Sequence, residues 1–454
     1  MSSSPPRSSA PTLSTGSKLQ SWFTRGYRRG WWQIAAAGAW LLLVATATTL
    51  DLRLIQLWER QIQTLFFEAR GVREAPDDIV ILTIDDESMS QAEYYLSDPQ
   101  KYAELEPIQR WPWQRSAYAI AIERLVNAGA KVVALDVLFT ADSAYGQADD
   151  QQLAQTLAKY GDRVVLGSVF GSTELNQGSI TKPVLPIPLL LETPAKTGLI
   201  QFPIEVDGRI HRRGSEYIKT LVQANADLED KSTIDSEFGA VNSFAESVLN
   251  TANVSYPSPP GPYINYYGPN RTFEHIPFWY VLDPDPWQNT LQSGQVFKDK
   301  IVLIGATASS LQDFWPAPFS KTFFHPSPLP GVEILANDIA TLRAGDALRE
   351  GLPAPWMRGI LVLVAGSGFG ILLRQVKRPT GRLVLTGASG GLWLGLTFLV
   401  FSQTGLILPA ATPIIAFLSM GSAYVITNLV TDQIRKQRLR NTLAQYATSP
   451  IVQE

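Results

Sequence analysis

The stretch Ile79-Val80-Ile81-Leu82-Thr83-Ile84-Asp85-Asp86 decides the fold. Six apolar or β-branched residues run together without alternation, and two acids end the run. That pattern is a strand buried on both faces. Downstream, residues 115–128 place Tyr118, Ile122, Leu125 and Val126 on one helical face, with Gly129 just past the end. Val132-Val133-Ala134-Leu135-Asp136-Val137-Leu138 reads as a second strand. Residues 149–160 read as a second helix, with Asp149 or Asp150 as its N-cap, and 164–167 as a third strand. A helix near 236–249, a strand at 301–305 and a helix from 332 to 342 follow, while 173–196 and 257–262 read as long loops or insertions. Strands alternating with helices predict an α/β domain, its mostly parallel sheet covered by helices on both faces.

Four apolar stretches bracket this block, at 31–50, 355–373, 383–402 and 406–430. Each has about the 20 residues needed to cross a hydrocarbon core. Residues 1–50 contain no acid, and 351–454 contain only Asp432 and Glu454. Between 51 and 350 lie 39 of the 41 acids but only 24 of the 38 basic residues. Basic residues stay cytoplasmic beside membrane spans. Lys18, Arg25, Arg28 and Arg29 precede the first span, Arg374, Lys377, Arg378 and Arg382 follow the second, and Arg435, Lys436, Arg438 and Arg440 follow the fourth. The expectation is four transmembrane helices in the inner (plasma) membrane and both termini cytoplasmic. It comprises a disordered basic head at 1–30, an exported domain at 51–352 and a cytoplasmic helical linker at 431–454. Ala45-Thr46-Ala47 also fits a signal-peptide cleavage pattern, but the long basic head and full-length apolar run favour a retained span.

Composition excludes several functions. The acidic block argues against a nucleic-acid partner. The absence of Cys removes disulfides, thiol nucleophiles and Cys-based metal sites. The histidines are His211, His275 and His325, with no two at ligand spacing. The spans carry no ionisable residue apart from Arg358 near one end, which argues against ion transport. Gly366 with Gly370, and Gly387 with Gly391, give small-xxx-small spacing for close helix approach.

Seven pieces of the block carry a resemblance. They are Ile81-Leu82-Thr83-Ile84-Asp85-Asp86, Trp111-Pro112-Trp113-Gln114-Arg115, Leu135-Asp136-Val137-Leu138-Phe139, Asp207-Gly208-Arg209-Ile210-His211-Arg212, Ile264-Asn265-Tyr266-Tyr267-Gly268-Pro269, Lys300-Ile301-Val302-Leu303-Ile304-Gly305 with Asp313, and Pro330-Gly331-Val332-Glu333-Ile334-Leu335-Ala336-Asn337. In this order, over about residues 50–350, they resemble the second type of CHASE domain, an extracellular sensory module associated with cyclases and histidine kinases. The resemblance implies one span before the sensor and three after it. It also implies a following cyclase or kinase domain, whereas only about 24 residues follow the last span here. Tyr446-Ala447-Thr448-Ser449-Pro450-Ile451-Val452 is similar to the linker before a cyclase domain. The effector is therefore expected to be missing or to be a separate cytoplasmic partner.

Asp85, Asp86 and Asp136 sit at strand ends, where open α/β sheets place ligands, and Asp313 follows a later strand. They form either a polar or cation-binding pocket, suited to calcium or magnesium through Asp85, Asp86 and Asp136, or a set of helix caps and loop hydrogen bonds. Trp111, Trp113 and Arg115 form either a stacking wall for a ligand or the closure of a core. Asn253 and Asn270 begin glycosylation sequons. In the helix at 433–446, Leu439, Leu443 and Tyr446 share a face and suit a homodimer contact. The expected function is a membrane-anchored extracytoplasmic sensor, with no catalytic residues and no cofactor. The alternatives are an exported metal-dependent hydrolase using the Asp residues, or an envelope interaction protein.

Overall fold

A computed structural model describes residues 31–175, 178–225 and 241–447. The expected head at 1–30, the first part of the helix expected at 236–249 and the last residues of the linker lie outside them. The main elements in chain order are α1 (Trp31–Thr49), α2 (Arg53–Arg70), β1 (Ile79–Ile84), α3 (Arg115–Asn127), β2 (Val132–Asp136), α4 (Gln147–Tyr160), β3 (Val164–Leu175), β4 (Gly178–Val184), β5 (Lys196–Leu199) and α5 (Gly214–Asn225). They continue with α6 (Phe244–Thr251), β6 (Glu274–Pro277), β7 (Ile301–Ala306), α7 (Gly331–Ala344), α8 (Pro355–Gln375), α9 (Pro379–Thr404) and α10 (Ala411–Ala447). The chain divides into two units, one of residues 60–351 with 400–407, the other of the remaining helices.

The larger unit is built on one sheet of order β4-β3-β2-β7-β1-β6, with β5 also on β3. All pairings are parallel except β3 with β4. Successive side chains of a strand point to opposite faces, so each central strand feeds two cores. Val80, Leu82 and Ile84 pack with Tyr118, Ile122 and Leu125 of α3 and Leu153 and Leu157 of α4. Ile79 and Ile81 pack with Phe244 and Val248 of α6 and Leu335 and Ile339 of α7. Every residue of β1 is buried, which is why its sequence shows no alternation. At roughly 1.5–3 kcal/mol per buried large aliphatic side chain, these two layers dominate the stability of the unit.

Two local readings are corrected. The expected loop at 173–196 instead contains a hairpin, with β3 extending to Leu175 and pairing antiparallel with β4. Asp149 and Asp150 do not cap α4, whose N-cap is Gly146. They are buried and turn back on α3: Asp149 accepts the N–H groups of Arg115 and Ser116 at 2.8 and 3.0 Å, and Asp150 pairs with the Arg115 guanidinium.

In the other unit, α8, α9 and α10 are long and apolar enough to cross a membrane, and a fourth crossing counts if α1 and α2, bent by 81°, make one span. Leu41, Val362, Phe369, Phe417 and Met420 form its core. Gly366 lets α1 approach α8, since a Cβ there would lie 2.3 Å from Leu41 Cδ1. Gly387 and Gly391 differ from the expectation: a Cβ at either position would meet nothing within 4 Å.

Candidate functional site

Strand exits create the site. β1 leads toward α3 and β2 toward α4, both on one face of the sheet. β7, hydrogen-bonded between them, leads to α7 on the other face. Neighbouring strands whose chains depart to opposite faces leave a crevice at their C-terminal ends, the usual ligand position in open α/β sheets. Here that crevice has two halves, one on each side of β7.

The β1 half is a cavity of about 170 Å³ lined by Asp85, Asp86, Glu87, Asn270, Arg271, His275 and Thr307. Asp85 is held by local chemistry: it caps the short helix Asp86–Ser90, accepting the Ser88 N–H at 2.7 Å and the Thr83 hydroxyl at 2.9 Å. Asp86 accepts the N–H of Ser309 at 3.2 Å and remains exposed. Glu87 accepts the Trp279 indole N–H at 3.1 Å. Also lining the cavity, Asn270 and His275 have Oδ1 and Nε2 buried without a hydrogen-bond partner among the described residues. Buried polar atoms in native folds are nearly always satisfied, and the charge facing His275 Nε2 is the Glu333 carboxylate at 3.6 Å.

That part of the lining is organised by α7. Glu333, Asn337 and Thr341 recur at helical spacing and are fully buried. Glu333 accepts the N–H groups of Arg271 and Thr272 at 3.0 and 2.9 Å and lies 3.6 Å from His275 Nε2. Asn337 accepts the Tyr267 N–H at 2.8 Å, and Thr341 accepts that of Asn265 at 3.1 Å. The row thus satisfies the backbone of residues 265–272, an irregular segment buried against the sheet, which otherwise would carry orphan donors. The spacing i, i+4, i+8 is present in the sequence, but which face of the helix is buried is set by the packing of 265–272 against it. Asp338, on the next position, is buried and pairs with Arg213 at 3.0 Å.

The β2 half holds Asp136 and Asp313. Asp136 ends β2 opposite Gly305 of β7. Burial first, then the neighbouring charge of Asp313, push its carboxyl well above the usual carboxylate range. Burial also raises Asp313, against the 2.9 Å hydrogen bond from the Trp315 indole. Two glycines make room: a Cβ on Gly305 would lie 2.5 Å from Val332 Cβ, and one on Gly331 would lie 2.6 Å from Asp313 Oδ2.

The expected site residues are therefore sorted into different roles. Asp85 and Asp86 share the cavity with His275 and Arg271, whereas Asp136 has Asp313 as its neighbouring charge in the β2 half. The set Asp85, Asp86 and Asp136 expected to hold calcium or magnesium is not assembled. Among the described residues, no group of three or more His, Asp or Glu side chains is placed to hold a metal ion. The reason is that Asp85 turns inward to cap its helix and Asp86 turns to Ser309. Trp113 is buried against Phe278, with ring centroids 5.0 Å apart, and Arg115 is buried against Asp150. Neither lines the cavity, and nor does the more exposed Trp111. Asn270, Arg271, His275 and Thr307 escaped sequence reasoning, because strand pairing and not spacing brings them to Asp85.

No curated protein and no solved structure matches the chain. One family model does, that of the CHASE2 domain, over residues 35–372, from within α1 to within α8. That match covers well over half of the sequence and takes in the sheet, both halves of the crevice and α7, so the chain belongs to the CHASE2 domain family, a family of sensory domains.

Proposed function

We propose that this chain is an extracytoplasmic sensor that binds a small polar ligand in the β1–β7 crevice and passes the event to its membrane helices. The observation that carries this is the cavity of about 170 Å³ at the strand exits, lined by acids together with Arg271, His275 and Asn270. The sensory character of the CHASE2 family supports the reading. So does the wiring of the cavity wall. Glu333, in the first turn of α7, holds Arg271 and contacts His275. From the end of α7 only ten residues lead to Pro355, where α8 begins. A ligand that draws Arg271 or His275 toward Asp86 loads Glu333, and a helix transmits such a load along its axis as a rigid element. The acceptor of the signal is a cytoplasmic effector, and the working form is a homodimer.

The test is thermal-shift screening of the full-length protein in nanodiscs against small polar metabolites. A ligand present at a hundredfold excess over its Kd adds about 2.7 kcal/mol of stability. The expected hit raises the melting temperature of the native chain but not of Asp86→Ala or Arg271→Ala. Hits that act equally on both variants bind elsewhere and refute the crevice.

A further inference from the structure

Phe323 and Phe324 stand out in the larger unit, 92 % and 67 % exposed, with ring centroids 5.3 Å apart. They form the tip of a turn closed by the Thr322 N–H donating to the His325 carbonyl at 3.0 Å and the His325 N–H donating to Thr322 Oγ1 at 3.1 Å. The turn is braced. The Arg209 guanidinium donates to the carbonyls of Ala317, Ser320 and Lys321. Phe319 and Lys321 hold left-handed backbone with φ of 62° and 52°, a conformation that costs a non-glycine residue about 1 kcal/mol or more. A braced turn that keeps two adjacent phenylalanines in water forgoes roughly 1.5–3 kcal/mol for each. Such a patch marks a binding surface.

Its surroundings name the occupant. The Phe319 ring at the base of the turn packs on Phe67 at 6.0 Å, and Phe67 packs on Phe401 at 5.2 Å. Phe401 lies in the last turn of α9, within the connector 400–407 that belongs to this unit. The chain leaves that connector on both sides into helices apolar enough to cross a membrane. Where both helices cross, chain continuity brings the connector, and with it Phe401 of the stack, to a membrane surface. The exposed Lys321 beside the tip suits a lipid phosphate. Ile204 and Val206, also exposed, lie on the hairpin that carries Arg209.

We propose that Phe323 and Phe324 form an aromatic wedge seated in the lipid interface of the bilayer that the chain itself crosses. Aromatic side chains favour this zone, and two of them on a rigid turn fix the sensor's footing there. The wedge rests on observations separate from the crevice and stands whether or not the crevice binds a ligand.

The native chain has no Cys, so a single introduced thiol reports without background. Full-length Phe323→Cys and Phe324→Cys, each labelled with an environment-sensitive fluorophore, are reconstituted in phosphatidylcholine nanodiscs beside the exposed control Gln147→Cys. The expected result is blue-shifted emission at both tip positions, and quenching by headgroup-nitroxide lipids several-fold stronger than at the control. Emission at both tip positions matching the control, with equal quenching by aqueous iodide, overturns the wedge. Efficient Phe324→Cys disulfide formation between two copies, with loss of the blue shift on dilution into excess lipid, also overturns it and assigns the patch to a second copy of this chain. Two tip positions, each checked for a native melting profile, keep one misfolded variant from deciding the result.

Discussion

Four aspartates of the same chemistry end in unlike environments. Asp136 is the sharpest case, because burial and the Asp313 charge raise its pKa with no opposing hydrogen bond among their causes. A carboxyl whose pKa is raised in the folded state binds its proton more tightly there than in the unfolded chain. Its contribution is fully present below the unfolded pKa and is lost as the pH rises through the folded value. At neutral pH it therefore costs stability, by roughly 1.4 kcal/mol for every tenfold difference in proton affinity between the folded and unfolded chain. Asp136→Asn should raise the melting temperature at pH 8 by some degrees, leave it nearly unchanged at pH 4, and flatten the pH profile between. Differential scanning fluorimetry across that range checks it; a variant profile parallel to the native one sinks the account. Asp86, exposed and bonded to Ser309, lies on the other side of β7 and shares no partner with Asp136 among the described residues. Asp86→Ala and Asp136→Asn should therefore change stability additively, to within about 0.5 kcal/mol. A shared metal site would make them non-additive, and would also make the native protein sensitive to chelator.

At the scale of elements, the sequence was legible where a strand is buried on both faces and illegible where pairing alone makes the strand. β1, β2 and β7 announce themselves as unbroken apolar runs. β6, with Glu274 and Pro277 at its ends, has no such run and exists because β1 offers it an edge. β4 likewise forms on β3 from a segment whose composition reads as loop. The crevice was half legible: Asp85 and Asp136 follow strands, but the wall of Asn270, Arg271 and His275 depends on the fold of 265–272 onto α7. That dependence is testable. Asn337→Leu keeps the volume but strands the Tyr267 N–H, at a cost of about 1–3 kcal/mol. The same change at an exposed helical position should cost a few tenths. Denaturant unfolding of the two variants separates the outcomes, and equal losses would show that the buried polar row is only filler. The last helix offers a second test. α10 runs unbroken to Ala447, with Leu439 and Leu443 exposed by 65 % and 60 %. If that face meets its copy in a homodimer, Leu439→Cys and Leu443→Cys should cross-link in membranes far better than Arg440→Cys or Asn441→Cys. Equal yields at all four positions would remove the dimer.

For the whole molecule the open choice is between three membrane crossings and four, and it turns on α1. The apolar run at 31–50 and the basic residues before it predict a full span. In the structure α1 is a 19-residue helix, followed after an 81° bend by α2. A helix of that length rises about 28 Å, close to the roughly 30 Å of a hydrocarbon core, so α1 can cross without α2. α2 is unlike a span: it carries Arg53, Glu59, Arg60, Glu68 and Arg70, and its Phe67 is buried with Tyr266 and Phe319 in the sensor unit. In the topology proposed for this chain, the bend is the exit from the membrane, α1 is the fourth crossing and α2 is the first element beyond it. This arrangement predicts three labelling outcomes for single cysteines in sealed, right-side-out vesicles. An impermeant maleimide should modify Gln147→Cys directly. It should reach Ser17→Cys and Gln437→Cys only after the membrane is opened, because both lie before or after an even number of crossings. Direct labelling of Ser17→Cys, with Gln437→Cys still protected, would mean that α1 does not cross and that three helices anchor the sensor. Direct labelling of Gln437→Cys with protection of Gln147→Cys would invert the topology and place the crevice in the cytoplasm, where no extracytoplasmic ligand reaches it.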